Sequence, residues 1–266
     1  MENSFKGILY PARLPTFNRL PAPSSVEHLV QWFWIPEWDI EPGRTSRQHL
    51  IAYPASNLVV QAGGVSFSGP TTRAAHRDLA GKGWAVGALL RPAAIPLFTS
   101  DPASLRDAEV DFPAAELLAA VSAAMSPVGT HDGGTRRAQA VDAFTGWLAS
   151  LAGPTLSEEA ALANRMMELL STDPALVRVE DAASALAVSP RTLQRVAKKY
   201  IGLSPAALIR RRRLQDAAER ARLDASADLA AIAAELGYAD HAHLTNDFQK
   251  YLGFTPSTYR RAVGGG

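Results

Sequence analysis

The spacing of apolar and polar positions divides this 266-residue chain into two unlike parts. Up to about Phe112, the apolar residues lie in short β-prone runs such as His49–Tyr53, Asn57–Gln61 and Trp84–Leu90, which glycine and proline residues separate. Short runs at this spacing predict the strands of a small barrel or sandwich. From Pro113 onward alanine, leucine and glutamate dominate, and the periodicity of the apolar residues predicts helices.

Two breaks interrupt the predicted helices. Helices are expected over Ala114–Met125 and Arg136–Leu151, with a loop over residues 126–134 between them. Gly153-Pro154 marks the second break, after which the sequence has helical periodicity throughout. We therefore expect a β-rich sensor domain over 1–125, a linker and bridging helix over 126–155, and an all-α domain over 156–266.

The helical part contains an internal repeat. One set of positions has a similar residue 51 positions further on: Leu193, Tyr200, Gly202, Ser204 and Pro205 match Leu244, Tyr251, Gly253, Thr255 and Pro256. A second set, upstream, has its match 50 positions further on: Ala182, Ala183 and Leu186 match Ile232, Ala233 and Leu236. The difference of one residue falls in the turn, where an insertion is easiest. The repeat predicts two copies of one helix–turn–helix unit.

Each copy has local features that fix where its second helix begins or ends. Ser189 and Pro190 predict a helix start, because a serine side chain caps free N–H groups and proline fits the first helical position. Gly202 and Gly253 predict a left-handed residue at the end of that helix. The units should span about 179–201 and 228–252. A helix from Pro205 to Leu223 would join them over about 28 Å, close to the roughly 34 Å between major grooves on one DNA face.

Charge is concentrated in one segment of a chain whose formal net charge is only +1. Residues 187–222 hold ten basic and two acidic residues, which favours a polyanionic partner for this domain, with a solvated helix face as the alternative. The chain has no cysteine, so disulfides and thiolate sites are excluded. No apolar run approaches 18 residues and the start does not resemble a signal peptide, so we expect a cytoplasmic protein without a membrane partner.

The repeated residues resemble the arabinose-regulator (AraC/XylS) family of bacterial transcription factors. The resemblance covers about residues 162–263 and is strongest over 233–244 (AAELGYADHAHL) and at Gly253-Phe254-Thr255-Pro256. The first copy matches through 186–195 (LAVSPRTLQR) and Gly202-Leu203-Ser204-Pro205. The resemblance implies a sequence-specific transcription regulator, not an enzyme, that binds double-stranded promoter DNA, contacts RNA polymerase and needs no cofactor.

The N-terminal part resembles a sensor domain that accompanies this DNA-binding unit in some actinobacterial-type regulators. The similar segments lie within Val26–Trp38, Tyr53–Val59 and Gly87–Pro92. By analogy the resemblance implies a cupin-like β-barrel, and so an α+β chain with an all-α C-terminal domain. Whether this domain binds a small-molecule effector or mediates formation of a homodimer stays open.

Trp32, Trp34 and Arg91 are the candidate effector-pocket residues. The tryptophans would contact an apolar or aromatic ligand and Arg91 would neutralise an acidic one; core packing of the tryptophans and a surface role for Arg91 are the alternatives. Histidines and carboxylates do not cluster at metal-ligand spacing in this part, so no metal is expected. A cupin-type enzyme with an appended helical module is the rival interpretation, and the missing metal ligands argue against it.

The outward positions of each recognition helix are the candidate DNA contacts, because arginine suits guanine and glutamine or asparagine suits adenine in the major groove. The candidate base contacts are Arg191, Gln194 and Arg195 in the first unit and His241, Ala242, Thr245 and Asn246 in the second. The candidate phosphate contacts are Ser189, Thr192, Lys198, Lys199, Arg210, Arg211 and Lys250.

Two features qualify these candidates. Consecutive helical residues point in different directions, so Arg210 to Arg213 cannot all face DNA, and Arg213 is expected to form a structural salt bridge. The family often has a basic residue where Asn246 stands, and Asp247 follows it here. We therefore expect the first unit to contribute more of the affinity.

Overall fold

The computed structural model describes residues 16–126, 132–153, 155–223 and 228–263. In its described part the N-terminal domain contains eight strands: β1 Phe17–Pro21, β2 Val30–Asp39, β3 Thr45–Leu50, β4 Asn57–Gln61, β5 Gly64–Ser68, β6 Ala75–Ala80, β7 Lys82–Leu90 and β8 Glu109–Asp111. Six form one antiparallel sheet in the order β1-β2-β7-β4-β5-β8, and β3 pairs with β6 in a second sheet. A short 3-10 helix, Pro92–Leu97, follows β7.

Alternation along the central strands gives the large sheet two different faces. In β2, Phe33 and Ile35 belong to the buried core, whereas Trp32 and Trp34 face a cavity on the other side. Helices α1 (Ala115–Met125) and α2 (Gly133–Leu151) cover the core face, where Phe33 and Phe144 meet edge to face with ring centroids 5.4 Å apart. The helices thus cover one side of the sheet and leave the other side facing the cavity.

The C-terminal domain is entirely helical in its described part. Its helices are α3 Glu158–Thr172, α4 Val179–Ala185, α5 Pro190–Tyr200, α6 Pro205–Leu223, α7 Leu229–Glu235, α8 His241–Asp247, which continues as a π-helical turn Phe248–Leu252, and α9 Pro256–Val263. Helix α6 joins two separate cores, since Leu208 and Ile209 pack in the first and Leu214 and Ala217 in the second.

The predicted fold class is confirmed: a β-rich N-terminal domain precedes a helical domain with two helix–turn–helix units. The connecting helix has the predicted bounds, and Ser189 caps α5 by accepting a hydrogen bond from the Thr192 N–H at 3.1 Å. The description of the domain as cupin-like stays a prediction. No described helix is long and apolar enough to span a bilayer.

One predicted boundary needs correction. The predicted loop over 126–134 is shorter at its end, because Asp132 caps α2 by accepting a hydrogen bond from the Thr135 N–H at 2.7 Å and the helix already begins at Gly133. The remaining loop residues 127–131 and Pro154 of the second break lie outside the described residues.

Candidate nucleic-acid interface and cavity

Helix α5 separates a buried apolar side from an exposed polar side. Its buried residues are Leu193, Val196, Ala197 and Tyr200, and its exposed ones include Arg191, Gln194, Arg195, Lys198 and Lys199. Ser189 and Thr192 at its start are engaged with each other, their hydroxyl oxygens lying 2.9 Å apart. Gly202 follows in the left-handed conformation with φ of 80°. The exposed side is therefore a continuous surface of donors that match base edges and phosphates.

Glu159 of α3 engages part of this surface. Its carboxylate forms ion pairs with Arg195 and Lys199 and accepts a hydrogen bond from the Tyr200 hydroxyl at 3.2 Å. Hydrogen bonds from Lys199 and then Arg195 lower the pKa of Glu159 to about 2, so it is ionised at neutral pH. The predicted base contact of Arg195 would require it to leave this carboxylate, whereas Arg191 has no ion-pair partner among the described residues.

Helix α8 exposes fewer groups. Asp240 caps it by accepting a hydrogen bond from the His243 N–H at 2.7 Å, and His241, Ala242 and Asn246 are exposed. The Thr245 hydroxyl is buried without a hydrogen-bond partner in the described part of the chain, so this side chain does not face outward. We therefore remove Thr245 from the predicted base contacts.

Asp247, noted in the sequence only as a departure from the family, has a structural role. It is 1% exposed, and the Nε of Arg210 donates a hydrogen bond to its Oδ2 at 2.6 Å. Nη2 of Arg210 also lies 3.0 Å from Nε2 of His243. Asp247 follows Leu244 by three residues on the buried face of the helix, and this spacing was the signal that a cation must reach it. Arg210 thus links α6 to the second unit, which competes with its predicted phosphate contact.

Of the next three arginines, Arg211 and Arg212 are buried and Arg213 is half-buried. Arg211 is 3% exposed and donates a hydrogen bond to the Ala52 carbonyl oxygen, and burial lowers its pKa to about 10. Arg212 donates to the Leu176 carbonyl at 3.1 Å and Arg213 to the Val177 carbonyl at 3.2 Å. The predicted phosphate contact of Arg211 is therefore wrong for this conformation, because the guanidinium lies between the two domains. Arg213 has the predicted structural role, through a carbonyl instead of a salt bridge.

The N-terminal domain packs against the same point in both helix–turn–helix units, the glycine that ends the second helix. A Cβ added to Gly202 would lie 2.6 Å from the carbonyl carbon of Pro102, and one added to Gly253 would lie 2.6 Å from the ring of His49. Both glycines have positive φ values, 80° and 77°. They therefore serve two purposes, a left-handed helix end and a close approach between domains.

Among the described residues, backbone hydrogen bonds link the N-terminal domain to the second unit and not to the first. The Ala52 N–H donates to the Tyr251 carbonyl at 3.0 Å, and the Ala74 N–H donates to the Lys250 carbonyl at 2.9 Å. Nε2 of His49 lies 2.6 Å from the Leu252 carbonyl oxygen, which can only accept, so this nitrogen carries the proton. These carbonyls belong to the last turn of a helix and lack intrahelical donors. The N-terminal domain thus caps the second recognition helix, while the exposed Lys250 side chain stays available for phosphate.

A cavity of about 810 Å³ lies between the two sheets of the N-terminal domain. Trp32 and Trp34 line it, and Phe254 and Thr258 of the C-terminal domain contribute to its wall. Arg91 does not line it: this residue precedes the 3-10 helix, and its N–H donates to the Leu29 carbonyl at 2.8 Å. We therefore remove Arg91 from the candidate pocket. Within the described ranges no three histidine or carboxylate side chains group as metal ligands.

Two family models match the chain, one in each domain. Residues 182–262 match a family described as a helix-turn-helix domain. Residues 18–111 match a domain family of unknown function, DUF6597. The boundaries of both matches agree with the division between the helical and the β-rich parts.

Individual relatives are similar over part of their length. The chain is 37% identical over 124 residues to an AraC-like transcription regulator of Streptomyces antibioticus, which covers 46% of this chain and 38% of the relative. The C-terminal domain of AraT, a response regulator from Geobacillus stearothermophilus, is 28% identical, with a TM-score of 0.34 over 40% of this chain and 88% of that one. Unsaturated fatty acid-bound ToxT from Vibrio cholerae is 12% identical, with a TM-score of 0.41, and the match covers 94% of this chain and 95% of ToxT.

Proposed function

We propose that this chain is a transcription regulator, since its C-terminal domain is an AraC-type helix-turn-helix domain. It binds promoter DNA through two recognition helices and responds to a small molecule held by its N-terminal domain. One observation carries the proposal. Two capped helices, α5 and α8, each expose side chains suited to base edges, and one continuous 19-residue helix joins their units. A helix of this length suits two major grooves on one face of a duplex.

The charges favour the same partner. In the first unit the lysines Lys198 and Lys199 extend the exposed side of α5 beyond Gln194, so phosphates and bases would be bound by one surface. Binding that neutralises phosphates releases counterions, and the affinity should therefore fall steeply with salt. A solvated helix face without a DNA partner would not have this dependence.

Regulation would use the contact between the domains. The cavity wall includes Phe254 and Thr258 from the DNA-binding domain, and His49 touches both the cavity and the end of the second recognition helix. A bound molecule would therefore change the free energy of this contact and, through it, the placement of the second unit. Contact with RNA polymerase and self-association as a homodimer complete the proposal; transcription assays and sedimentation velocity test them.

Selection of duplexes from a random library by the full chain tests the proposal. The enriched sequence should contain two blocks about one helical turn apart. Arg191→Ala combined with Gln194→Ala should abolish the enrichment and leave weak, salt-sensitive binding to any duplex, because the phosphate contacts remain.

Arg44→Ala is the matched control, since Arg44 is an exposed arginine of the N-terminal domain paired only with Glu41. It should give the same enriched sequence as the natural chain. Absence of any enriched sequence, or an unchanged sequence in the double variant, would contradict the proposal.

A further inference from the structure

The cavity between the two sheets has the size and lining of a ligand site. Its volume of about 810 Å³ falls within the range of about 300–1,000 Å³ that is typical of ligand pockets. Six aromatic side chains contribute to the wall: Phe17, Trp32, Trp34, Trp38, Tyr53 and Phe254. Flat rings of this kind favour a flat apolar body, which can stack on them or meet their edges.

Two of the three arginines in the wall already have carboxylate partners. Arg47 donates two hydrogen bonds to Asp78, at 2.8 and 2.9 Å. Arg77 donates one to Glu109 at 2.5 Å. Each carboxylate neutralises its own arginine, so neither arginine needs an anionic ligand as a partner.

Several neutral polar groups of the wall are also engaged. Oδ1 of Asn57 accepts a hydrogen bond from the Trp34 indole at 3.0 Å, and Gln48 donates to the Ser46 hydroxyl at 2.8 Å. The Thr71 hydroxyl accepts from the Tyr53 N–H at 2.6 Å. A sugar or another polyol needs many free donors and acceptors to replace its water. The engaged groups therefore disfavour a carbohydrate as the occupant.

Arg19 is the exception among the charged residues. Its guanidinium carbon lies 4.2 Å from the centroid of the Trp32 ring, and Trp32 in turn meets Tyr53 edge to face at 6.4 Å. Burial lowers the pKa of Arg19, and within the described ranges no carboxylate oxygen lies within 4.0 Å of its nitrogens. One face of the guanidinium is covered by the indole, while its N–H groups remain in a fork that matches a carboxylate.

We propose that this cavity binds an organic anion with a planar aromatic body, whose carboxylate pairs with Arg19 and whose ring packs against Trp32 and Trp34. The proposal rests on the proposed function in that it names the chemical class of the effector. Among the described residues of the wall, Arg19 is the arginine without a carboxylate partner, and several aromatic rings lie beside it. Such a cation favours a ligand with one negative charge on an apolar frame and disfavours neutral isosteres, because they leave the guanidinium without a partner.

Titration of the full chain with 2-naphthoate and with its neutral isostere 2-naphthamide tests the inference, with tryptophan fluorescence and calorimetry as readouts. The naphthoate should quench the fluorescence and bind about tenfold more tightly than the amide, as a charge-assisted pair predicts. Arg19→Gln should remove this preference, Arg19→Lys should retain part of it, and Arg44→Gln should leave it unchanged, since Arg44 lies outside the cavity wall. Circular dichroism establishes that each variant is folded.

Equal affinities for the two probes, a preference that persists in Arg19→Gln, or no binding of naphthoate at millimolar concentration would overturn the inference. DNA binding of the ligand-free chain is measured on the same samples. A chain that binds its selected DNA but shows no preference for the anion retains the proposed DNA-binding function and loses the ligand class. A chain that prefers the anion but selects no DNA sequence retains the inferred ligand class and loses the proposed DNA-binding function.

Discussion

The first recognition helix presents two arginines, a glutamine and two lysines to solvent, whereas the second presents two histidines, an alanine and an asparagine. The two units also differ in how they are held. Beside the first unit, the N-terminal domain packs at Gly202 and exchanges hydrogen bonds with Asn164 of the preceding helix α3. In the second unit the end of the recognition helix itself accepts backbone and side-chain hydrogen bonds. Its nearest arginine, Arg210, is paired to the buried Asp247.

This contrast shows how one repeated sequence pattern can serve two tasks. The repeat fixes the same helices, turns and terminal glycines in both units, while the side chains outside the repeat decide what each unit does. The first unit keeps its cations on the exposed side, where they can meet DNA. The second pairs the buried Asp247 with Arg210, leaves Lys250 exposed and is hydrogen-bonded to the N-terminal domain, so we expect a ligand to change the position of this unit.

The largest expected effect comes from Arg210→Met. Removing the guanidinium leaves the carboxylate of Asp247 buried without its cation, so the free energy of unfolding should fall by about 3 kcal/mol. Urea denaturation of the full chain measures it. Arg220→Met, in the exposed pair with Glu235, is the matched control and should cost less than about 1 kcal/mol.

The adjacent arginine should behave in the opposite way. Arg211 is buried with one hydrogen bond to Ala52, and its Nε and Nη1 have no partner in the described part of the chain. Arg211→Met should therefore leave stability unchanged or raise it by about 1 kcal/mol, because a desolvated charge is replaced by an apolar side chain. If Arg210→Met and Arg211→Met lowered the free energy of unfolding equally, the buried carboxylate of Asp247 would not be what distinguishes the two positions.

Base reading should be unequal between the units. Arg191→Ala should weaken binding to the selected duplex by about 2 kcal/mol and relax the preference at one base pair. Asn246→Ala should cost less than about 1 kcal/mol, since a single amide contact is weaker than a bidentate arginine–guanine pair. Fluorescence anisotropy at fixed salt measures both. If Asn246→Ala weakened DNA binding more than Arg191→Ala, the second unit and not the first would contribute more to base recognition.

The cap on the second unit should have a smaller effect. His49→Phe keeps the ring against Phe254 but removes the hydrogen bond to the Leu252 carbonyl, which should cost about 1 kcal/mol. Hydrogen exchange should quicken at residues 248–252 and stay unchanged in α5. His76→Phe, at the cross-strand position opposite His49, is the control. Faster exchange in both units would show that the contact is not specific to the second.

The smallest effect concerns Glu159, whose pKa is lowered from 4.5 to about 2. A lowered carboxylate pKa stabilises the folded protein above about pH 4.5, and this contribution is lost as the pH falls toward 2. The difference in Tm between the natural chain and Glu159→Gln should therefore shrink over this interval. At neutral pH the variant frees Arg195 and Lys199, so DNA should bind slightly more tightly and with a steeper salt dependence. A constant difference in Tm would contradict the ion pairs.

Local sequence signals predicted the elements better than the contacts between domains. Ser189, Pro190, Gly202 and Gly253 fixed helix ends because capping depends on neighbouring residues, and the repeat located both units. The arginine run was only partly resolved: helical periodicity showed that its members must point apart, but not that Arg211 would meet Ala52, which lies 159 positions away. The sequence did not point to Arg19, which lines the cavity, and pointed to Arg91, which does not, because lining a cavity depends on strand register across two sheets.

The central claim is that both helix–turn–helix units bind one DNA site and that the first unit contributes most of the sequence specificity. Substituting each base pair of the selected duplex in turn tests this claim most directly. The affinity of the full chain for every single substitution gives the cost at each position. We predict two blocks about one helical turn apart, with costs of about 1–3 kcal/mol per base pair under the first unit and smaller costs under the second. A single block, or equal costs in both, would contradict the account.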